Sequence, residues 1–458
     1  MAKKPVVYIV LVLIVGLSAA WAGLNWQQVA SLAIFSSLIC GTLLFWSFRL
    51  AFAFFGLTAL IAFGLIDIPH IIEFAGLDII LFLVAMMIVI GFLEERHFFD
   101  HLVSALLRLV GDRPYFLIIL MMFQAAFFAA LVDEVTSILF MTSTMLHITS
   151  RKGLPPAPFV MMLVFATNVG SSATVVGNPI GVIIALRGGL TFADFLRWAA
   201  PISLVSLVLT IIICLFYFRK DILGLAQKNI TCIPDMDMHQ SDTAKRKPSM
   251  LVPWVVFLGT IVGLLLHAKL EYLLQLDKNA MLLDVAFAAA GIVLLLERNR
   301  ARELVERRVD WWTLAFFMML FASVGTLKLV GTTEVAARGL LQLTQGNPVA
   351  LFIGITWATG ILTSIMDNVL AVATFIPIIG DLSAMNVNVA PLWWGMLFGG
   401  TVMGNMTIIG STANIVAIGI LERRGLGSIG MIEWLKPGFL VAIPTLLLAT
   451  VLLWWQLF

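Results

Sequence analysis

Leu131-Val-Asp-Glu-Val-Thr-Ser-Ile-Leu-Phe140 decides the reading of this chain, because Ile365-Met-Asp-Asn-Val-Leu-Ala-Val-Ala-Thr374 says nearly the same thing again. Each sets an Asp-Glu or Asp-Asn pair inside an apolar run, with Asp133 and Asp367 standing half a chain apart. Outward from that pair the echo continues. Thr174-Val-Val-Gly177 returns as Thr407-Ile-Ile-Gly410, and Trp198-x-x-Pro201 returns as Trp434-x-x-Pro437. Upstream, the run from Asp78 to Met87 is matched by the run from Asp310 to Met319. Four landmarks in one order at nearly one spacing define a duplicated chain. A duplicated apolar chain with intramembrane acids reads as a secondary transporter.

Composition identifies the solvent as lipid. The 458 residues are 61% hydrophobic and 12% charged, with a mean hydropathy of +1.04. Soluble domains carry roughly 25% charged residues. The net charge of +2 does not imply a nucleic-acid partner, since the basic residues sit in loops, where they orient a membrane protein. The N-terminal MAKKP and apolar run lack a convincing cleavage site and read as a retained first helix. Cys40 and Cys214 fall in apolar segments and Cys232 in a polar one, a spacing that gives neither a disulfide framework nor a metal cluster.

Apolar runs near the roughly 20 residues of a bilayer crossing fall at about 5–23, 28–47, 49–66, 77–94, 157–187 and 198–219. In the second half they fall at about 250–267, 279–297, 310–329, 392–421 and 436–457. The segments 114–148 and 348–381 are too long for one crossing and carry an acid in the middle. Each is expected to be a re-entrant helical hairpin with its tip inside the membrane. Asp100–Arg108 and Glu334–Leu341 are expected to be amphipathic helices leading into the hairpins. The expected fold is an all-α polytopic membrane protein of about 11 transmembrane helices, built as two inverted repeats, each with a hairpin and a broken helix. The first repeat takes 1–219 (hairpin 114–148, broken helix 157–187). A cytoplasmic linker takes 220–249, and the inverted second repeat takes 250–458 (hairpin 348–381, broken helix 392–421).

The positive-inside rule places Lys3, Lys4, Arg49, Arg96, Arg108, Arg113, Arg151, Lys152, Glu297–Arg308 and Arg423-Arg424 in the cytoplasm, leaving Arg187 and Arg197 outside. The expected location is a prokaryotic plasma membrane, with the N-terminus cytoplasmic. The Trp residues at 311, 312, 393, 394, 454 and 455 read as an interfacial belt, His147 and His267 as residues near the membrane edges, and Asp284 as a helix-boundary residue.

Asp133, Glu134 and Asp367 are the first candidates for function. A charge at the bilayer centre costs about 2.5–3.5 kcal/mol even on the lenient scale, so retained charges imply a cation, a proton or an opposed dipole. Asp133 and Asp367 also suit the N-cap positions of the half-helices that follow them, although an uncharged cap would serve at less cost. Thr136, Ser137, Thr363, Ser364 and Asn368 add oxygens beside the acids, as a hard cation such as Na+ or a proton relay would use. The second constellation is Asn168, Gly170, Ser171, Ser172, Thr174 and Asn178, with Asn405, Thr407, Ser411, Thr412 and Asn414 as its counterpart. Gly, Asn and hydroxyl residues at mid-membrane predict broken helices whose ends bind ions. Small-residue packing explains the glycines but not the four asparagines. A Na+ site would lie near Asp133, Asn168, Asp367 and Asn405. No Lys or Arg is expected near either tip or break.

At these residues the chain resembles the ion transporter superfamily, in the branch of arsenite permeases, NhaD-type sodium/proton antiporters and P-protein-like permeases. The matching stretches are Val132-Asp133-Glu-Val-Thr, Asn168 to Pro179, Ser364-Ile-Met-Asp367-Asn368 and Gly404 to Asn414. The resemblance covers nearly the whole chain. It implies a scaffold and a transport core, with the site between two hairpin tips and two broken helices. It further implies a homodimer, and an elevator movement. Glu134 departs from the P-protein-like pattern, which has Asn there, and the Ser-Asn-Thr triplets of dicarboxylate carriers are absent.

The function expected is a non-enzymatic secondary active transporter of a small inorganic ion or oxyanion, arsenite-type or another anion. It would be coupled to H+ or Na+ and need no cofactor. Na+/H+ antiport of the NhaD type is the alternative, using the three acids directly. A citrate or dicarboxylate carrier, a channel and an intramembrane aspartyl protease fit less well, since a protease would leave the inverted repeat unexplained.

Overall fold

The structure, a computed structural model, describes residues 3–107, 113–226 and 250–458. All of its regular elements there are helical. The first half runs α1 (Lys3–Trp21), α2 (Trp26–Leu44), α3 (Arg49–Ala62), α4 (Ile68–Phe74), α5 (Leu77–Glu95) and α6 (Phe98–Leu107). The hairpin α7 (Pro114–Leu131) and α8 (Glu134–Lys152) follows, then a broken helix made of α9 (Ala157–Gly170) and α10 (Pro179–Gly188). The half ends with α11 (Phe192–Asp194), which passes through a π-turn at Phe195–Ala199 into α12 (Ala200–Tyr217), and with α13 (Arg219–Ala226). The second half repeats the plan with α14 (Leu251–Leu274), α15 (Ala280–Leu296), α16 (Ala301–Arg308), α17 (Trp311–Leu329) and α18 (Thr332–Leu343). Its hairpin is α19 (Pro348–Ile365) and α20 (Asn368–Ala384), its broken helix α21 (Ala390–Val402) and α22 (Thr412–Arg423), and its last span α23 (Met431–Leu457).

Among the described residues, nine helices are long and apolar enough to cross a membrane. At 1.5 Å per residue, α5 and α17, with 19 residues each, reach about 28 Å, close to the hydrocarbon thickness. The predicted hairpins form, with α7 and α8 meeting at Val132-Asp133 and α19 and α20 at Met366-Asp367. The predicted amphipathic segments form as α6 and α18, although Arg108 itself lies outside the described residues.

The halves are inverted relative to each other, and side-chain contacts show it. Glu94 and Glu95, at the C-terminal end of α5, pair with Arg308, just before the N-terminal end of α17, at 2.9 and 3.3 Å. At the opposite end, Asp78 near the start of α5 lines one cavity with Lys328 near the end of α17. The equivalent helices α5 and α17 therefore run antiparallel. The halves are also interlocked. Helix α5 packs on α15 and α17 packs on α3, which is the same contact made twice, each time between halves.

Several local expectations change. The polar stretch read as a linker begins as a helix, α13, which packs on α7 and buries Ile222 and Leu225. Lys152 donates to the Leu225 carbonyl at 2.7 Å. Cys232 and the rest of 227–249 lie outside the described residues. His267, wherever it stands along the membrane normal, is fully buried within α14, its Nδ1 at 2.6 Å from the Leu264 carbonyl. Trp311, Trp312, Trp454 and Trp455 are exposed as a belt requires, but Trp393 and Trp394 are buried, because α21 belongs to the innermost layer.

Candidate functional site

The two hairpin tips are capped alike. Asp133 accepts from the N–H groups of Val135 and Thr136 at 3.1 and 3.2 Å, and Asp367 accepts from that of Val369 at 3.0 Å. These side chains satisfy amides that no helical carbonyl can reach. The capping expectation holds for both aspartates. Asp367 further accepts from the Thr412 hydroxyl at 2.9 Å, which ties the second tip to the second broken helix.

The breaks are alike as well. Each opens with a short 3-10 turn, Ser171–Ala173 and Met403–Asn405. Each second half-helix starts from a polar N-cap: Asn178 accepts from Gly181 N–H at 2.7 Å, and Ser411 from Ala413 N–H at 3.2 Å. Glycine is required at Gly177 and Gly410, where an added Cβ would lie 2.2 Å from the Ser171 carbonyl oxygen and 2.8 Å from that of Gly404. A hydroxyl then ties each break to its own hairpin. Thr174 donates to the Ala130 carbonyl, and Thr407 donates to the Ser364 carbonyl at 2.7 Å.

The two repeats meet at the residues where they differ. Glu134 and Asn368 occupy equivalent positions after the capping aspartates, and Asn368 Nδ2 donates to Glu134 Oε1 at 3.2 Å. The Ser411 hydroxyl approaches the same oxygen at 3.5 Å. Beneath them, Asn168 Nδ2 donates to Asn405 Oδ1 at 2.8 Å and to Asn414 Oδ1 at 2.9 Å, while Ser411 donates to Asn168 Oδ1 at 3.0 Å. Asn414 donates onward to the carbonyls of Gly404 and Thr407, and Asn405 to that of Phe165. Trp434 donates its indole N–H to the Asn405 carbonyl at 3.0 Å. Glu134, Asn168, Asn368, Asn405 and Asn414 are all buried. Against this dense network, Glu134 Oε2 is buried and makes no hydrogen bond among the described residues. A buried polar atom left unpaired is costly, and this one belongs to the carboxylate whose other oxygen accepts from Asn368 of the second tip.

Other predicted residues stand nearby in supporting positions. Ser171 donates to the Asn168 carbonyl and receives from Asn178 Nδ2 at 2.8 Å. Thr136 lines a cavity of about 80 Å3 beside Asp133, together with Asn178, Glu94 and Arg308. Ser137, Ser172 and Ser364 spend their hydroxyls on the carbonyls of Ala125, Val169 and Ile361, away from the acids. The Thr363 hydroxyl is buried without a hydrogen-bond partner among the described residues. Gly170 lets α9 approach α7, since a Cβ there would lie 2.3 Å from the Ala126 oxygen.

The expectation of no basic residue near the tips is overturned twice. Arg308 shares the cavity with Asp133. Arg49, read as a loop residue, is buried at the head of α3 and interacts electrostatically with Asp367. Helix α17 brings them together by packing on both α3 and α20. One signal in the sequence pointed to Arg49: it is the one charged residue between Lys4 and Asp67.

Paired half-helix ends around buried acids, in an inverted duplicate, define a secondary transporter of the membrane. The solved structure of the Alcanivorax borkumensis YdaH transporter, described as having an unusual topology, shares the fold. It matches with a TM-score of 0.57 at 15% identity, over 87% of this chain and 88% of that one. An uncharacterized transporter of Mycobacterium tuberculosis is 31% identical over 385 residues, 83% of this chain and 86% of its own. The human P protein is 26% identical over 444 residues, 81% of this chain and 52% of that protein, in keeping with the P-protein-like part of the resemblance. The chain belongs to the CitMHS family, described as citrate transporters, whose model matches residues 42–399 and 330–458.

Proposed function

We propose that the protein carries a small inorganic ion or oxyanion across the membrane, coupled to H+ or Na+, through the seam between the two hairpin tips. The observation that carries this reading is the partnerless Glu134 Oε2, buried beside Asp133 and Asp367 at the level of the helix breaks. A carboxylate in that position takes up a proton or a hard cation when loaded and gives it up when empty. The asparagines supply both amide donors and oxygens, so one network serves an anion and its coupling cation. The cavity beside Asp133, about 80 Å3, has room for a few water-sized particles, which suits a small ion.

In this reading the Glu94 and Arg308 end faces the cytoplasm, the chain works as a homodimer in a prokaryotic plasma membrane, and the core moves against the scaffold as an elevator. Residues 1–219 and 250–458 are the two repeats joined through 220–249. A second reading, a carboxylate cargo such as citrate, is favoured by Arg308 in the cavity and by the family's description.

The test is a thermal-shift panel of sodium, lithium, arsenite, chloride, and di- and tricarboxylates at several pH values, read by linkage, followed by flux in proteoliposomes. Stabilisation by an inorganic ion with coupled uptake supports the first reading. Stabilisation by citrate alone replaces it with the second. Conductance without coupling would make the protein a channel.

A further inference from the structure

Arg308 and Glu94 form an ion pair at 2.9 Å, and both side chains line a cavity. It is the cavity of about 80 Å3 that also takes in Asp133, Thr136 and Asn178 at the first hairpin tip and break. One space thus joins the proposed ion site to a pair of opposite charges. Phe82, Met86 and Ile90 supply apolar wall. Apolar surroundings screen charge poorly, so Arg308 is felt more strongly there than on an open surface.

The pair differs from the charged network around it. Glu95 is held by Arg300 at 3.2 Å as well as by Arg308 at 3.3 Å, and it is not among the residues that line the cavity. Glu94 has Arg308 as its one ion-pair partner among the described residues. The pairs Arg96–Glu297, Arg302–Glu306 and Arg307–Glu303 lie outside the cavity too. Helix α5 is cut away where the arginine stem crosses it. A Cβ on Gly91 would lie 2.6 Å from the Arg308 Cβ and 2.7 Å from its Cγ. A clamp between α5 and α16 needs no cavity, and Arg300 with Glu95 already provides one. The Arg308 and Glu94 side chains stay 32% and 27% exposed, so a solute reaches them.

We infer that Arg308 is an anion-recognition residue of the transport cavity, and that Glu94 is a tethered anion that occupies it until a cargo anion takes its place. A guanidinium presents a planar fork that matches a carboxylate or a small inorganic oxyanion. The Glu94 carboxylate already shows which chemical group fits. On binding, Arg308 exchanges Glu94 for the cargo, while Glu95 keeps its hold on the guanidinium Nε. The step is an exchange of ion-pair partners, with no covalent bond made or broken. Asp133, the other charged residue of the cavity, repels an anion and leaves the Arg308 side as its place. The inference rests on the proposed reading of this cavity as a passage for cargo, and it names the residue that selects anions there.

Competition gives the effect its sign, because removing a tethered competitor tightens binding of the free one. The experiment titrates full-length protein in lipid nanodiscs with citrate and, separately, with inorganic phosphate at one pH and one ionic strength. Chloride is the balancing anion, and thermal unfolding is the readout. For whichever anion stabilises the wild type more, E94Q should lower the midpoint concentration at least about tenfold, the change that 1.4 kcal/mol produces. R308Q should lose saturable stabilisation by either anion. R308K, a point charge without the fork, should weaken it. E95Q should stay near wild type, since Glu95 is outside the cavity. A response to phosphate alone identifies an inorganic oxyanion as the ligand, and a response to citrate alone identifies a carboxylate.

An unchanged midpoint in E94Q would overturn the inference. So would an equal fall in E94Q and E95Q, which marks a general loss of negative charge, or the absence of saturable stabilisation in both wild type and E94Q. The proposed function is judged separately. Coupled flux with midpoints that ignore Arg308 would keep the transporter and remove this inference. D133N protein that still performs coupled flux would remove the seam while leaving the anion midpoints to judge Arg308.

Discussion

The two hairpin tips share a frame and part at the residue after the capping aspartate. Both place an aspartate as the cap of the outgoing half-helix, and both are tied by a threonine hydroxyl to their own broken helix. The difference falls at the next residue, Glu134 in one tip and Asn368 in the other, and these two side chains meet across the seam. Duplication supplies the frame, and divergence at one equivalent pair turns a symmetric contact into a donor–acceptor contact with a spare carboxylate oxygen. A symmetric Asn–Asn contact would satisfy itself without a charge. A symmetric Glu–Glu contact would repel unless a proton or cation were shared.

Substitutions at the acids break this comparison most strongly. Glu134→Gln, Asp133→Asn and Asp367→Asn should each take coupled flux in proteoliposomes to background while the protein elutes as wild type in size-exclusion chromatography. Full activity in these variants would dismiss the seam as the site. Next in size is the exchange of the pair. Glu134→Asn combined with Asn368→Glu re-creates the contact from the opposite side and should return flux to within about tenfold of wild type, a deficit of about 1.4 kcal/mol. Glu134→Asn alone should stay inactive. If the double variant is as dead as the single one, the side from which the charge comes matters as much as its presence.

Smaller effects test the shared frame. Asn168→Ala leaves the side-chain oxygens of Asn405 and Asn414 and the Ser411 hydroxyl without that partner, so thermal unfolding should show a loss of about 1–3 kcal/mol. Smallest are Thr174→Val and Thr407→Val, each removing one hydroxyl–carbonyl tie, at about 1 kcal/mol apiece. Equal losses support equivalent frames. A large inequality would show that one break bears more of the load than its twin.

The fold was largely legible in the sequence because its signals are coarse. Segments too long for one crossing with an acid in the middle had to turn back, and Asn–Gly–hydroxyl runs at mid-membrane had to break. The capping role of Asp133 and Asp367 was legible for the same local reason. What escaped depended on which face of one helix looks at another element. Arg49 reads as an anchor by the positive-inside rule, and nothing in its neighbours reveals that α17 carries it toward the second tip. Trp393 and Trp394 have the composition of an interfacial belt, yet α21 lies inside the bundle. The contact between Glu134 and Asn368 could have been suspected from their equivalence alone, since inverted copies bring equivalent residues to the common axis.

The double exchange in which α5 packs on α15 and α17 on α3 bears on how this protein is made. When the first half leaves the ribosome, α5 and α3 still lack their partners and must wait in the bilayer until α15 and α17 arrive. Neither half is then a self-sufficient folding unit, and a chain severed between Ala226 and Met250 should be degraded when either fragment is expressed alone yet assemble when both are made together. Such dependence would also oppose loss of either copy during evolution, because a half-length descendant would inherit a surface built for a partner it no longer encodes.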